Sequence, residues 1–148
     1  MPINKTSKEL KTSLIINLEK HYGVVKKIST YGEVYDINGK RINIRCRTKS
    51  NSINESRLFW YSFNYSLADR VDYVLYMMTT SEYFILFPVA FLEEIKSSLY
   101  HLNDNPSTKT FYIDWDQLLL LHKDGVKSIS DYHKSFSVED PNFPTEFI

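Results

Sequence analysis

Two adjacent residues, Asn38 and Gly39, constrain this chain more than any other feature of it. Both tolerate the positive φ that a two-residue type I′ turn demands, and alternating apolar segments flank them, Glu33 to Ile37 before and Lys40 to Arg47 after. The spacing predicts a β-hairpin in which Ile37 faces Lys40, Asp36 faces Arg41, Tyr35 faces Ile42 and Val34 faces Asn43. Directly opposed residues share a sheet face. One face therefore carries Val34, Asp36, Arg41, Asn43, Arg45 and Arg47, and the other carries Glu33, Tyr35, Ile37, Ile42, Ile44 and Cys46.

Around this hairpin the periodicity predicts an α/β chain. Thr6 and Glu9 have the spacing of a capping box, and Leu10, Leu14, Leu18 and Tyr22 then recur every four residues up to Gly23, which marks a first helix. Val24 to Ile28 alternates as a strand. A polar loop, Lys49 to Ser56, separates the hairpin from a strand at Leu58 to Tyr65, whose aromatic face is Phe59, Tyr61, Phe63 and Tyr65. After a turn at Ser66 to Asp72, the continuous apolar runs Tyr73 to Met78 and Tyr83 to Phe87 read as central strands covered on both faces. Pro88 opens a helix reaching about Tyr100, with Phe91, Leu92, Ile95 and Leu99 spaced to pack. A short strand at Thr110 to Asp114 and a last helix around Asp116 to His122, capped by Asp116, complete the pattern. The last residues, from about 138, read either as a docking arm or as a frayed end.

The length of 148 residues, with 43% hydrophobic and 15% aromatic content, fits one domain spanning residues 1–148, with 1–6 and about 138–148 as extended tails. No run of 18 apolar residues occurs and the N-terminus lacks the apolar stretch of a secretory signal, so a cytoplasmic protein without a membrane partner is expected. A lone cysteine, Cys46, excludes an internal disulfide and reads as a small buried hydrophobe. No phosphate-loop or nucleophile-elbow pattern is present, and His21, His101, His122 and His133 lack metal-ligand spacing. Zero net charge conceals an asymmetry. Met1 to Arg70 holds 13 Lys/Arg against 6 Asp/Glu, hence +7, whereas Val71 to Ile148 holds 5 against 12, hence −7. Such polarity attracts phosphates to one face, draws two copies together, or intermixes once the chain folds.

The order of helix, hairpin, aromatic strand, two buried strands and the segment YFILFPVAFLEEI, together with EVYDINGKRINIRCR at Glu33 to Arg47, resembles the PD-(D/E)xK, or restriction-endonuclease-like, superfamily. The likeness of order runs roughly from Leu10 to Leu121. It implies a central mixed β-sheet flanked by helices, and a site in which an acid on one hairpin strand and an acid-x-Lys triplet on the other hold Mg²⁺. Mg²⁺ needs hard, preferably anionic oxygens. Here Asn43 occupies the second acid's position, Arg45 the lysine's, and Val34 lies opposite Asn43 where the first acid belongs. Two readings of Asp36 follow: a cross-strand ion pair with Arg41, or, in a different turn register, a metal ligand joined by Glu19 of the first helix. The basic set Lys26, Lys27, Arg41, Arg45, Arg47, Lys49 and Arg57 reads either as a phosphate-binding surface for DNA or RNA or as internal partners for Glu19 and Glu33.

The resemblance thus implies a nucleic-acid-associated protein with an eroded metal site, accessory to a restriction or mobile-element system, and without a cofactor. The alternatives are an active Mg²⁺-dependent endonuclease built on Asp36, Asn43 and Glu19, and a protein-interaction or oligomerisation module in which the charge asymmetry and the tail mediate self-association, as in a homodimer, or partner binding.

Overall fold

Leu14, Leu18 and Tyr22 line one face of helix α1 (Ser7–Tyr22) in the computed structural model, which describes residues 7–29, 33–46, 58–77, 83–102 and 104–135. Gly23, at φ 100°, ends the helix in a left-handed conformation that costs glycine little. The chain then forms β1 (Val25–Ser29), β2 (Val34–Ile37) and β3 (Lys40–Cys46). Asn38 and Gly39 both have positive φ, 53° and 82°, and the Gly39 N–H donates to Asp36 Oδ1 at 3.1 Å. The hairpin register is Val34 on Asn43, Tyr35 on Ile42, Asp36 on Arg41 and Ile37 on Lys40, as the turn chemistry requires.

Next come β4 (Leu58–Asn64), β5 (Tyr73–Met77), β6 (Tyr83–Pro88), α2 (Val89–Ile95), β7 (Tyr100–His101), β8 (Thr108–Asp114), β9 (Leu119–His122), β10 (Gly125–Ser128) and β11 (His133–Ser135). They assemble into two sheets. The first has the order β1-β2-β3-β5-β6-β11 and is antiparallel except where β3 and β5 run parallel. The second is antiparallel, in the order β10-β9-β8-β4, with β7 also paired to β8. Parallel neighbours need a crossover. Here the chain leaves β3, contributes β4 to the second sheet and returns as β5.

Each face of the first sheet buries its own core. Leu14, Leu18 and Tyr22 pack on Tyr35, Ile37, Ile42, Ile44, Leu75 and Phe84 on the helix side. On the other side Val34, Val74, Tyr76, Ile85 and Phe87 meet Phe59, Tyr61, Phe63, Phe111, Ile113 and Trp115, joined by Phe91, Leu92 and Ile95 of α2. Buried hydroxyls find partners: Tyr61 Oη donates to the Met77 carbonyl at 2.8 Å and accepts from Trp115 Nε1 at 3.2 Å. The architecture is mixed α/β, mostly strand, with a second sheet where a flanking helix is expected.

Two further expectations are corrected. The helix expected at Asp116 to His122 is a turn followed by β9, because the Asp114 carboxylate accepts the N–H groups of Asp116 (3.0 Å) and Gln117 (3.1 Å) and the leucine run then pairs with β8. The helix expected to reach Tyr100 stops at Ile95; a 3₁₀ turn, Lys96–Ser98, follows, and Tyr100 enters β7. Thr6, Arg47, Lys49, Arg57, the C-terminal tail and the side chain of Cys46 lie outside the described residues. No helix among the described residues is long and apolar enough to cross a membrane.

Candidate nucleic-acid interface

The hairpin register divides the expected site residues between two sides of the first sheet. Val34, Asp36, Arg41, Asn43 and Arg45 point away from α1, whereas Glu19 is exposed on α1, the layer covering the opposite side. Asp36 and Glu19 therefore do not converge. Val34, 3% exposed, is packed in the core between the sheets, and Asn43 beside it is 1% exposed. The Asn43 side-chain amide donates to the Glu33 carbonyl at 3.3 Å, and the Ile44 N–H donates to the same oxygen at 3.1 Å. Asn43 thus helps hold the start of β2, where Glu33 itself adopts a φ of 53°.

This donor set does not fit Mg²⁺. A valine offers no ligand, the amide is neutral and engaged, and the carboxylate nearest them on the hairpin, Asp36, binds the turn N–H of Gly39. Among the described residues no group of three His, Cys, Asp or Glu side chains is placed to hold a metal ion.

Arg41 and Arg45 emerge at opposite ends of the covered centre. Arg45 is exposed, and its guanidinium donates to Ser62 Oγ at 3.0 Å on β4 of the other sheet. Beneath it, the fully buried Tyr76 hydroxyl donates to the Ser62 carbonyl at 3.0 Å. Burial pushes the Tyr76 hydroxyl far above its ordinary pKa, partly opposed by the Arg45 charge, so it stays a neutral donor. One residue of β4 thereby fixes both side chains. A guanidinium has five N–H donors, so this anchoring leaves others for an anion.

Arg41 does not pair with Asp36. Its Nε lies 3.6 Å from Asp72 Oδ2, its own N–H donates to that oxygen at 2.9 Å, and the Asp72 N–H returns a bond to the Arg41 carbonyl at 2.8 Å. Asp72 precedes β5, so the pair clamps the parallel β3/β5 junction at its open end. Lys26, exposed on β1, stands opposite Asp36, which makes a row of alternating charge, Lys26, Asp36, Arg41, Asp72, across the sheet. Beside this row Arg41 and Arg70 line a cleft of about 290 Å³ together with the buried Val34 and Leu67 and the exposed Ile28.

Lys27 lies on the helix side. Its Nζ is 3.5 Å from Glu33 Oε1, Lys11 approaches the same oxygen at 3.8 Å, and Tyr35 Oη donates to Glu33 Oε2 at 2.7 Å. The Tyr35 hydrogen bond, assisted by the two lysines against some burial, holds the Glu33 carboxyl below its ordinary pKa. Of the expected basic set, then, Lys27 is an internal partner, and Lys26, Arg41 and Arg45 face the other side. Sequence reasoning did not single out Arg70, Asp72 or Ser62. The cluster Asp69-Arg70-Val71-Asp72 immediately before a buried strand is a visible signal for the first two, but their placement beside Arg41 depends on the parallel β3/β5 register.

Fold and site together define a mixed α/β protein whose hairpin face presents arginines and, among the described residues, no group of carboxylates placed to hold a metal ion. Neither a family model nor a curated protein matches the chain. Among solved structures it is similar to the crystal structure of MepB, at 13% identity over 75% of this chain and 83% of that one, with a TM-score of 0.39.

Proposed function

We propose that this chain is a nucleic-acid-associated protein that holds the phosphate backbone on the hairpin side of its first sheet and does not cleave it. The scaffold of the proposal is the restriction-endonuclease-like one that the hairpin motif resembles, with its metal site lost. The observation that carries the reading is the contrast on a single face: Asn43 is buried and bound to the Glu33 carbonyl, with Val34 opposite, while Arg45 two residues on stays exposed. Arg45, Arg70 and Lys26 supply charge without a fixed base-reading geometry, which suits contacts that position a backbone and leave sequence unread. Arg41 is committed to Asp72 and serves mainly to shape the cleft.

The test is binding of labelled DNA and RNA oligonucleotides across a range of salt concentrations. Affinity is expected to fall linearly on a log-log plot, and Arg45→Ala and Arg70→Ala are each expected to weaken binding and lower the slope by about 1. Binding that ignores salt, or variants with the parent slope, would reject the proposal.

A further inference from the structure

Away from the hairpin, Lys96, His101, Lys109 and Lys123 converge, with Glu93, on an open cleft of about 590 Å³. Lys96 follows α2, His101 and Lys109 are paired across β7 and β8, and Lys123 sits in the β9–β10 turn. The half of the chain from Val71 to Ile148 has only 5 Lys/Arg among 12 Asp/Glu, so dispersed charges would leave each lysine among carboxylates. Instead Lys96, Lys109 and Lys123 share one concavity, and Glu93 is the one carboxylate among its lining residues. None of the three is in an ion pair with a described residue.

Local contacts fix this arrangement. Lys109 Nζ lies 2.7 Å from His101 Nδ1, so the ammonium donates to an unprotonated ring nitrogen and the Nε2–H remains as a further donor. Lys96 Nζ is held 4.8 Å from the ring centroid of Tyr65. The Lys123 backbone N–H donates to the Ser98 carbonyl at 3.0 Å, which ties its turn to the end of the 3₁₀ segment. Three cations held together repel one another, and an anion with several oxygens removes that cost. A phosphoryl group meets the requirement better than a single carboxylate, because separate ammonium donors can each take a different non-bridging oxygen.

We infer that this cleft is a second anion site, which binds phosphoryl groups through Lys96, Lys109, Lys123 and His101. Leu67 lines the arginine cleft, and Tyr65, two residues earlier in the same 3₁₀ turn, lies under Lys96. The two clefts adjoin one turn, so a single nucleic-acid strand engages both; this last step alone rests on the proposed function.

The experiment has two arms, both with the full chain. Pyrophosphate is titrated while the His101 ring resonances are followed by NMR, and a short single-stranded oligonucleotide is titrated at several salt concentrations. Lys109→Gln/Lys123→Gln is expected to weaken pyrophosphate binding by about tenfold and to lower the oligonucleotide salt slope by about 1.4, from two lost contacts. Glu93→Gln is expected to tighten both, a gain that misfolding cannot produce. If pyrophosphate shifts His101 while the oligonucleotide fails to bind, or binds the double variant as it binds the parent, the phosphoryl cleft stands and the shared strand is rejected; complete failure of oligonucleotide binding also rejects the proposed function. If pyrophosphate leaves His101 unmoved, binds the double variant equally, or is outcompeted by polyglutamate at matched charge, the cleft is overturned whatever the oligonucleotide does.

Discussion

Glu33 shows how much one side chain is asked to do at the mouth of the hairpin. It takes a left-handed backbone conformation, its carbonyl accepts from both Asn43 and Ile44, and its carboxylate gathers Tyr35, Lys27 and Lys11. Because its folded pKa is depressed, its contribution to stability is complete above the ordinary glutamate value of 4.5 and is lost as pH falls through the lower folded value. Glu33→Gln should therefore cost about 0.5–1 kcal/mol at neutral pH, since the carboxylate is partly exposed, and nothing further once both proteins are acidified. Urea midpoints measured at neutral and acid pH check this: the two curves should converge on acidification, and a constant gap would contradict it. The same scale explains what the sequence disclosed of the site. Turn chemistry at Asn38-Gly39 sufficed to place Val34 against Asn43, because a two-residue loop fixes every pair behind it. It did not disclose that Arg41 prefers Asp72, since that choice depends on a strand thirty residues away.

Among elements, the segment from Asp114 to His122 is the instructive one. Four consecutive leucines after an aspartate read as easily as a capped helix as they do as a strand, and periodicity does not separate the two in so short a run. The neighbour decides: β8 offers an unpaired edge, and Leu119, Leu120 and Leu121 pair with Asp114, Ile113 and Tyr112. Asp114 then nucleates the turn by accepting two backbone N–H groups. Asp114→Ala should cost about 1 kcal/mol of unfolding free energy and Asp114→Asn, which keeps an acceptor, less than half of that. Denaturant melts of the two variants check it, and equal losses would argue against the turn. By contrast, α1 was legible because Leu14, Leu18 and Tyr22 keep a helical spacing over its length and all become buried.

At the scale of the whole molecule, the sequence marked the aromatic strand as buried but not as the member of a second sheet. Phe59, Tyr61 and Phe63 would alternate in the same way on either sheet; what sends β4 across is its register with β8, from Leu58 on Asp114 to Asn64 on Thr108. That crossing has a functional consequence. The second sheet covers Val34 and Asn43, so the basic stripe expected along β3 becomes two exposed ends, Arg45 held by Ser62 and Arg41 beside Arg70, about 13 Å apart for the β3 pair at strand rise. The proposal that follows is a surface that attracts phosphates through fixed cations and needs no divalent ion to do so. Its most direct test is oligonucleotide affinity in EDTA and in Mn²⁺ at constant ionic strength, with the substrate recovered on a gel afterwards. Equal affinities and intact substrate are predicted; binding that appears only with Mn²⁺, or a cut strand that Asp36→Asn abolishes, would contradict it.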